Sequence, residues 1–131
     1  MASAKGDPIV VVTGSNRGIG LEICRQLMGR GARVVLTARK RAAGEAAAKK
    51  LTGHERAVAF HPLDVTDGNS VDGLHDFLEE RCGHVDVLIN NAGIIPKGEA
   101  SALKVGLATV RETLETNGLG PLHLVQCCCR S

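Results

Sequence analysis

Short apolar runs alternate along this chain with longer stretches in which apolar residues recur every three or four positions. The short runs are nearly continuous and rich in β-branched residues, which is typical of strands buried on both faces of a sheet. The longer stretches have the spacing of amphipathic helices. The pattern predicts strands at residues 8–13, 33–38, 57–61 and 85–89, and helices at about residues 18–30, 40–51, 67–83 and 107–129.

This strict alternation of strands and helices predicts an α/β fold, in which a parallel sheet carries helices on both faces. Asp67 or Thr66 is the expected N-cap of the third helix, and Gly83 is its expected C-terminal signal. The second helix is rich in alanine and lysine, both good helix formers, despite Gly44. Pro121 should kink or interrupt the last helix, because proline lacks the N–H group that a helix interior uses.

A glycine-rich segment, residues 13–20 (Thr-Gly-Ser-Asn-Arg-Gly-Ile-Gly), connects the first strand to the first helix. Gly14 permits a tight turn, Gly18 lets the backbone approach a phosphate, and Gly20 permits close packing of the helix. The free N–H groups at the helix start, together with the positive end of its dipole, attract a pyrophosphate. Because ligands of open parallel sheets bind at the carboxyl ends of the strands, this loop predicts a dinucleotide site there.

The spacing of these glycines differs from G-x-G-x-x-G and resembles the T-G-x-x-x-G-x-G of short-chain dehydrogenases/reductases. Further motifs of that family follow in order. Residues 63–65 (Leu-Asp-Val) come after the third strand and residues 90–93 (Asn-Asn-Ala-Gly) after the fourth, and residues 116–117 (Thr-Asn), with Gly120 beyond, lie in the last helix. Residues 16–23 are similar to the carbonyl-reductase-like branch of the family.

The resemblance covers essentially the whole chain and implies a Rossmann-type, doubly wound parallel sheet with strand order 3-2-1-4. It implies one NAD(P)-binding domain over residues 1–131, the N-terminal part of the family's domain, truncated before the fifth strand. By the same resemblance, Asp64 and Val65 hold the adenine ring and residues 90–93 lie on the ribose side, although without the family these would be an ordinary loop. The expected cofactor-binding residues are Gly14, Ser15, Asn16, Arg17, Gly18, Ile19, Gly20, Arg39, Asp64, Val65, Asn90, Asn91, Ala92 and Gly93.

The end of the second strand favours NADP(H) over NAD(H). NAD-binding proteins of this type usually place an acid there to hold the ribose diol, whereas this chain has Ala38 followed by Arg39. A guanidinium can form a bidentate pair with a 2′-phosphate that a carboxylate would repel, and Arg17 in the glycine loop could reach the same phosphate. The alternative is that Arg39 is a solvated surface residue.

Asn117 matches the family's asparagine, which helps to hold a water that relays protons to the active-site lysine, and it is the only member of the catalytic tetrad present. The family's serine, tyrosine and lysine come from the fifth strand and the following helix. Here no tyrosine exists, no lysine follows Asn117, and Ser131 is the only later serine. Since a positioned general acid contributes roughly 10²–10⁴-fold to catalysis, we expect no meaningful reductase activity from the chain alone. A full-length relative would reduce ketones or aldehydes with NADPH.

Three interpretations follow. The chain is a truncated reductase, as a splice product, frameshift product or fragment would be, or it is a non-catalytic NADP(H)-binding or regulatory module. Such a module could also pair with another subunit and interfere with its function. An unrelated P-loop protein is disfavoured because no G-x-x-x-x-G-K-[ST] occurs. In the family, the helix that carries the asparagine commonly contributes to dimerisation. The fourth strand, Val85 to Ile89, would be a bare apolar edge, so we also expect a marginal or associating monomer.

Composition further limits the classes of partner that this chain is expected to bind. The formal net charge is +2 with scattered basic residues, which gives no nucleic-acid patch, and no apolar run approaches the roughly 20 residues that span a bilayer. With no signal peptide in the sequence, a cytoplasmic location is expected. Cys24 and Cys82 should pack as small apolar groups, and three adjacent cysteines, residues 127–129, should be reduced thiols. The five histidines, at positions 54, 61, 75, 84 and 123, show no metal-ligand spacing, so no metal is predicted.

Overall fold

The structure is a computed structural model that describes residues 6–51, 58–93 and 106–128, with side chains up to Gln126. Its strands are β1 (Ile9–Val12), β2 (Arg33–Ala38), β3 (Val58–Pro62) and β4 (Val87–Ile89). Its helices are α1 (Gly18–Gly29), α2 (Arg41–Lys50), α3 (Gly68–Arg81), α4 (Leu107–Leu114) and α5 (Gly120–Cys128), with a π-helical turn, Glu115–Leu119, between the last two. The strands are parallel and lie in the order β3-β2-β1-β4, which confirms the predicted fold.

The two central strands, β1 and β2, are buried on both faces of the sheet, as their continuous apolar residues predict. Val10 and Val12 of β1 belong to a core with α1 and α2, whereas Val11 belongs to a second core with α3 and α5. Neighbouring strand residues point to opposite faces, so one four-residue strand supplies both cores. This arrangement fixes the carboxyl end of β1 between two packed layers.

Gly44, inside α2, has a packing role that the sequence pattern does not reveal. A Cβ at this position would lie only 1.8 Å from Cε1 of Phe60 in β3. The missing side chain therefore lets the Phe60 ring lie directly against the helix, and that contact explains why a poor helix former occupies a helix interior.

The start and end of α3 follow the predicted signals. Asp67 is the N-cap, and its carboxylate accepts a hydrogen bond from the Asn69 N–H at 2.9 Å. At the other end, the N–H groups of Cys82 and Gly83 both donate to the Leu78 carbonyl at 2.9 Å. Gly83 has φ +79°, a left-handed conformation that glycine adopts without strain.

The predicted fourth strand is two residues too long, because β4 begins at Val87 rather than Val85. Asp86 explains the difference. Its N–H donates to the Ile9 carbonyl at 2.9 Å, while its carboxylate accepts from the Ile9 N–H at 2.8 Å. A side chain thus satisfies the first N–H group of β1, where a longer β4 would have used its backbone.

The predicted single last helix is also corrected, because a π-helical turn divides it just before Pro121. Within this turn the Gly120 N–H donates to the Glu115 carbonyl, five residues earlier. Pro121 has no N–H for the next α-helical bond and its ring clashes with the carbonyl four residues before it, so the helix widens there.

Cys24 is fully buried in the core between α1 and the sheet, and burial raises the pKa of its thiol to about 11. It therefore packs as an apolar group, as predicted, and Cys82 is half-buried. The predictions for the side chains of residues 127–129 and for His54 fall outside the described residues. Among the helices that the structure describes, none is long and apolar enough to cross a membrane.

Candidate functional site

A cleft of about 640 Å³ lies at the sheet edge where the carboxyl ends of the strands meet. This volume is within the range of cofactor sites. Eleven of the fourteen residues predicted to bind the cofactor line the cleft, and the exceptions are Ser15, Gly20 and Asn90. Six further lining residues lie outside that prediction: Thr37, Ala38, Lys40, Ala43, Leu63 and Thr116.

The glycine loop passes close to the loop that follows β4. Gly14 has φ +59°, and a Cβ there would lie 2.9 Å from the Ala92 Cα. Gly18 has φ +60°, with nothing within 4 Å of its missing side chain. Position 14 therefore requires glycine both because of its left-handed backbone and because a side chain would collide with Ala92. Position 18 requires glycine for its left-handed backbone alone, and its missing side chain leaves open space at the start of α1.

The N-terminus of α1 is left without an internal cap. Arg17 is the N-cap residue, its side chain makes no capping hydrogen bond, and the first turn contains no acid. The first backbone N–H groups of a helix have no partners within the helix. Here they open on the cleft beside Gly18 and Ile19, which both line it. An anion in this position would satisfy them and interact favourably with the helix dipole.

Three buried hydroxyl groups join the tips of β1, β2 and β4. Thr13 Oγ1 accepts hydrogen bonds from the N–H groups of Asn91 and Ala92 at 3.0 and 2.9 Å. Ser15 Oγ donates to the Val12 carbonyl at 2.8 Å and accepts from the Thr37 N–H at 3.1 Å. The Ser15 side chain thus faces the interior rather than the cleft, which makes it a support for the loop.

Thr37 completes this network from β2. Its Oγ1 donates to the Val12 carbonyl at 3.2 Å, and its own carbonyl accepts from the Ser15 N–H at 2.9 Å. The hydroxyl groups replace backbone partners where the strands stop pairing, and each of the three hydroxyl groups has a hydrogen-bond partner. We call Thr13, Ser15 and Thr37 the hydroxyl network.

Gly20 and Asn91 account for the close approach of α1 to the loop after β4. A Cβ on Gly20 would lie 2.6 Å from the Asn91 side-chain nitrogen, which donates to the Gly14 carbonyl at 3.1 Å. Gly20 is buried, and it acts by leaving space for that amide rather than by lining the cleft. Asn90 is exposed and outside the cleft lining, whereas Gly93 lines it.

Three cationic side chains, Arg17, Arg39 and Lys40, line the cleft around the end of β2. Among the described residues none of the three forms an ion pair within 4.0 Å, although the Arg39 charge does act on Asp64. Ala38, at the position where an acid would hold a ribose diol, is buried and 3% exposed. Asp64 is the one acid among the described residues that line the cleft, and these residues together carry a net charge of +2.

Asp64 lies at the turn between β3 and α3. Its Oδ1 accepts from both the N–H and the hydroxyl of Thr66, at 2.9 and 2.6 Å, and its own N–H donates to Ser70 Oγ at 2.8 Å. The Thr66 hydrogen bonds and, to a smaller extent, the Arg39 charge lower the pKa of the carboxyl group. The carboxylate is thus held in a fixed orientation beside Val65.

Asn117 lies in the π-helical turn and is exposed. Its Oδ1 would be 3.2 Å from a Cβ on Gly93, so its side chain lies beside the loop after β4. Asn117 is adjacent to the cleft without lining it, whereas Thr116 lines it.

Sequence reasoning missed Lys40 and Thr116. Lys40 directly follows Arg39, and this doublet of cations was the signal that could have identified it. Thr116 directly precedes Asn117 within a recognised motif, but a motif does not show which of its side chains faces inward. Whether either side chain faces the cleft depends on the local conformation of the backbone, which the sequence spacing does not determine.

Three side chains on α3 each bring one potential metal-ligand atom within 4.8 Å of the others: His75, Asp76 and Glu79. The sequence pattern, which predicts no metal site, does not single out this group. Both carboxylates are exposed, and His75 Nδ1 lies 3.5 Å from Asp76 Oδ1. Helical spacing alone brings such surface residues together, and the group lies outside the cleft lining. His61, in β3, packs against the Phe77 ring with the centroids 4.8 Å apart.

Comparison with known proteins agrees with this geometry. The family model for short chain dehydrogenases matches residues 8–131. (+)-Neomenthol dehydrogenase of Arabidopsis thaliana is 49% identical over 88 residues, which are 64% of this chain and 30% of that protein. Carbonyl reductase (NADPH) 1 of Bos taurus is 47% identical over 87 residues, which are 66% of this chain and 31% of that protein.

A crystal structure of actinorhodin polyketide ketoreductase with NADPH superposes with a TM-score of 0.89 at 29% identity, over 98% of this chain and 49% of that one. The matched segment thus spans about a third of the length of the curated relatives and about half of this solved structure. With the family match extending over nearly all of its residues, and with the sheet order and glycine loop described above, this chain belongs to the short chain dehydrogenase family.

Proposed function

We propose that this chain binds NADP(H) and forms the cofactor-binding part of a cytoplasmic oxidoreductase that reduces ketones or aldehydes to alcohols. The observation that carries the proposal is the group of three cations, Arg17, Arg39 and Lys40, around the end of β2 with no acid at that position. Guanidinium and ammonium groups match a 2′-phosphate in charge and in donor geometry. A relative named for NADPH and a solved structure with NADPH support the same choice.

The residues present fit a phosphorylated dinucleotide. The uncapped N-terminus of α1 offers backbone N–H groups to a pyrophosphate, and Gly18 leaves space in front of them. Asp64 and Val65 form the wall that the family resemblance assigns to the adenine ring. When bound, the cofactor supplies the hydride that a carbonyl carbon accepts. The residues of this chain bind and orient the cofactor.

We further propose that these 131 residues bind the cofactor without reducing a carbonyl compound at a useful rate. Reduction also requires a proton at the carbonyl oxygen, and the sequence contains no tyrosine to supply it. Asn117, beside Gly93, is proposed to position a water in a proton relay once the remaining residues of such a relay are present.

Titration of the full chain with NADPH and NADH tests the proposal, with nucleotide fluorescence as the readout. We expect NADPH to bind more tightly, and Arg39→Ala to weaken NADPH about 10–100-fold while leaving NADH unchanged, since a hydrogen bond to a charged group contributes about 1.5–3 kcal/mol. Arg41→Ala is the matched control, because Arg41 pairs with Glu45 at 3.6 Å and does not line the cleft. Equal affinity for both nucleotides, unchanged by Arg39→Ala, contradicts the proposal.

A second candidate, a non-catalytic NADP(H)-binding module that associates with another copy or subunit, is favoured by apolar surface on the last two helices. Five large apolar side chains are exposed by more than two fifths: Leu107, Leu114, Leu119, Leu122 and Val125. Val87, in edge strand β4, is 44% exposed as well. Exposed apolar side chains and the outer edge of the last strand in the described sheet both promote association.

Light scattering after size exclusion tests this candidate. We expect the chain to elute above the monomer mass, and the double variant Leu114→Glu, Leu122→Glu to shift it towards the monomer. A monomer of high thermal stability in the unaltered chain contradicts association.

A further inference from the structure

Gly44 lies on the buried face of α2, where the helix rests directly against the Phe60 ring of β3. Three atoms of that ring, Cε1, Cζ and Cδ1, lie within 2.5 Å of the position that a Cβ on residue 44 would occupy. Two carbon atoms cannot pack this closely, so a side chain at this position displaces either the ring or the helix. Glycine therefore sets the distance between α2 and the sheet at this point.

The Phe60 ring is held from the sheet side. Phe60 is the register partner of Leu36 in the parallel pair of β2 and β3, and it packs against the core that α1, α2 and the sheet share. Swinging the ring outward would return apolar surface to water, which is unfavourable. Helix α2, in contrast, carries the exposed residues Arg41 and Glu45 on its other face, so the helix yields outward more easily than the ring.

The first turn of α2 connects Gly44 to the cleft. Only Arg39 and Lys40 lie between the end of β2 and the start of α2, and both line the cleft. The Gly44 N–H donates to the Lys40 carbonyl at 3.0 Å, which closes this turn. Ala43, the residue before Gly44, lines the cleft as well. An outward displacement of α2 at Gly44 therefore moves the two cations with it.

We propose that Gly44 is a positioning residue for cofactor selection. By letting α2 rest on the Phe60 ring, it holds Lys40 and Arg39 close enough to the cleft to bind a 2′-phosphate. This inference rests on the proposed function, because it requires a phosphorylated dinucleotide in the cleft. Charge-assisted hydrogen bonds require short donor–acceptor distances. A shift of the two cations therefore weakens NADPH selectively, since NADH has no 2′-phosphate.

The ratio of NADPH affinity to NADH affinity in the full chain tests this role, with nucleotide fluorescence as the readout. Gly44→Ala should weaken NADPH by about fivefold to tenfold and leave NADH within about twofold, because only the bonds to the 2′-phosphate are lengthened. Gly29→Ala is the matched control and should leave the ratio unchanged. Gly29 is also a helical glycine, but nothing lies within 4 Å of its missing Cβ.

A change on the ring side separates positioning from a general loss of structure. Phe60→Leu alone removes the surface on which α2 rests, so it should lower the affinity ratio by about threefold to fivefold. In the double variant Gly44→Ala, Phe60→Leu, the new methyl group fills space that the ring has left. The ratio should therefore rise above that of Phe60→Leu and return to within about twofold of the unaltered chain.

Four results would count against these assignments. An unchanged ratio in Gly44→Ala overturns the proposal, because the ring rather than the helix then yields. Equal weakening of both nucleotides also overturns it, since a purely structural role has that effect. If Gly44→Ala does not fold, a double variant whose ratio is no higher than that of Phe60→Leu overturns it. An unaltered chain that binds neither nucleotide, or both equally, overturns the proposed function itself.

Discussion

Helices α1 and α3 begin in opposite ways, although both follow a strand of the same sheet. The Asp67 carboxylate caps α3 by accepting a hydrogen bond from the Asn69 N–H, and Asp67 does not line the cleft. In α1 the N-cap position holds Arg17, which makes no capping bond and lines the cleft. The same backbone N–H groups thus stabilise the fold in one helix and remain available to an anion in the other.

The difference shows that a ligand-binding helix start needs support from elsewhere in the fold. In α3, the capping side chain fixes the entry of the chain into the helix. In α1, the hydroxyl network and the close contact of Gly14 with Ala92 hold the preceding loop. Stability and binding are therefore assigned to different residues, which makes them separable by substitution.

The largest effect is expected from Gly14→Ala, which disrupts the contact with Ala92 that holds the loop preceding α1. A side chain there would adopt a left-handed conformation and press on the Ala92 backbone, so we expect a loss of about 2–4 kcal/mol in the free energy of unfolding, together with nucleotide binding. Urea denaturation measures the loss. Gly31→Ala is the control, because Gly31 has φ +92° with nothing within 4 Å, so it should lose about 1 kcal/mol and retain nucleotide affinity.

Arg17→Asp would convert the start of α1 into a start like that of α3. The new carboxylate can cap the helix, which stabilises the chain without nucleotide by about 0.5–2 kcal/mol. The same change should weaken NADPH by about 100-fold, because an attractive cation becomes a repulsive anion. Arg17→Ala separates the two effects, with weaker binding and no gain in melting temperature. Tight NADPH binding by Arg17→Asp would show that the helix start is not the anion site.

Asp67→Ala is the converse change and should lower the free energy of unfolding by about 1 kcal/mol. NADPH affinity should be unchanged, because Asp67 does not line the cleft. Asp67→Asn, which can still accept the bond from Asn69, should recover most of the stability. A fall in affinity for Asp67→Ala in fully folded protein would refute the separation of the two helix starts.

The smallest effect is expected from the pH dependence of Asp64, which orders the turn leading into α3. Its pKa in the folded chain is lowered from the ordinary 3.8, chiefly by the Thr66 hydrogen bonds. The stability that it contributes is therefore present above the ordinary pKa and is lost as the pH falls through the folded-state value. Asp64→Asn should show a shallower loss of melting temperature in acid, and Thr66→Ala, which keeps one of the two donors, should lie between. Identical acid profiles for all three chains would contradict this role.

Much of the fold could be predicted because its signals are local. The bounds of β2 agree residue for residue with the apolar run, and the Asp67 cap and the Gly83 signal act within a few residues of sequence. The error at β4 has a different origin. There the Asp86 carboxylate takes the place of a backbone partner of Ile9, 77 positions away, and no local pattern contains that contact.

The site was predictable loop by loop rather than side chain by side chain. Motif order identified each loop that lines the cleft, yet Ser15 faces the interior while Thr116, which no spacing singled out, faces the cleft. Which side chain faces inward depends on tertiary contacts such as that of Gly120 with Val65. The position of the π-helical turn depends on the same contact as well as on Pro121.

The hydroxyl network affects the conformational entropy of nucleotide binding. Because the amides of Ser15, Thr37, Asn91 and Ala92 already donate to fixed oxygens, their protons should exchange slowly with deuterated solvent even before a nucleotide arrives. The tips of β1, β2 and β4 then lose little conformational entropy on binding, since folding has already ordered them. Calorimetry should accordingly find no contribution to the heat-capacity change of binding from ordering of these strand tips.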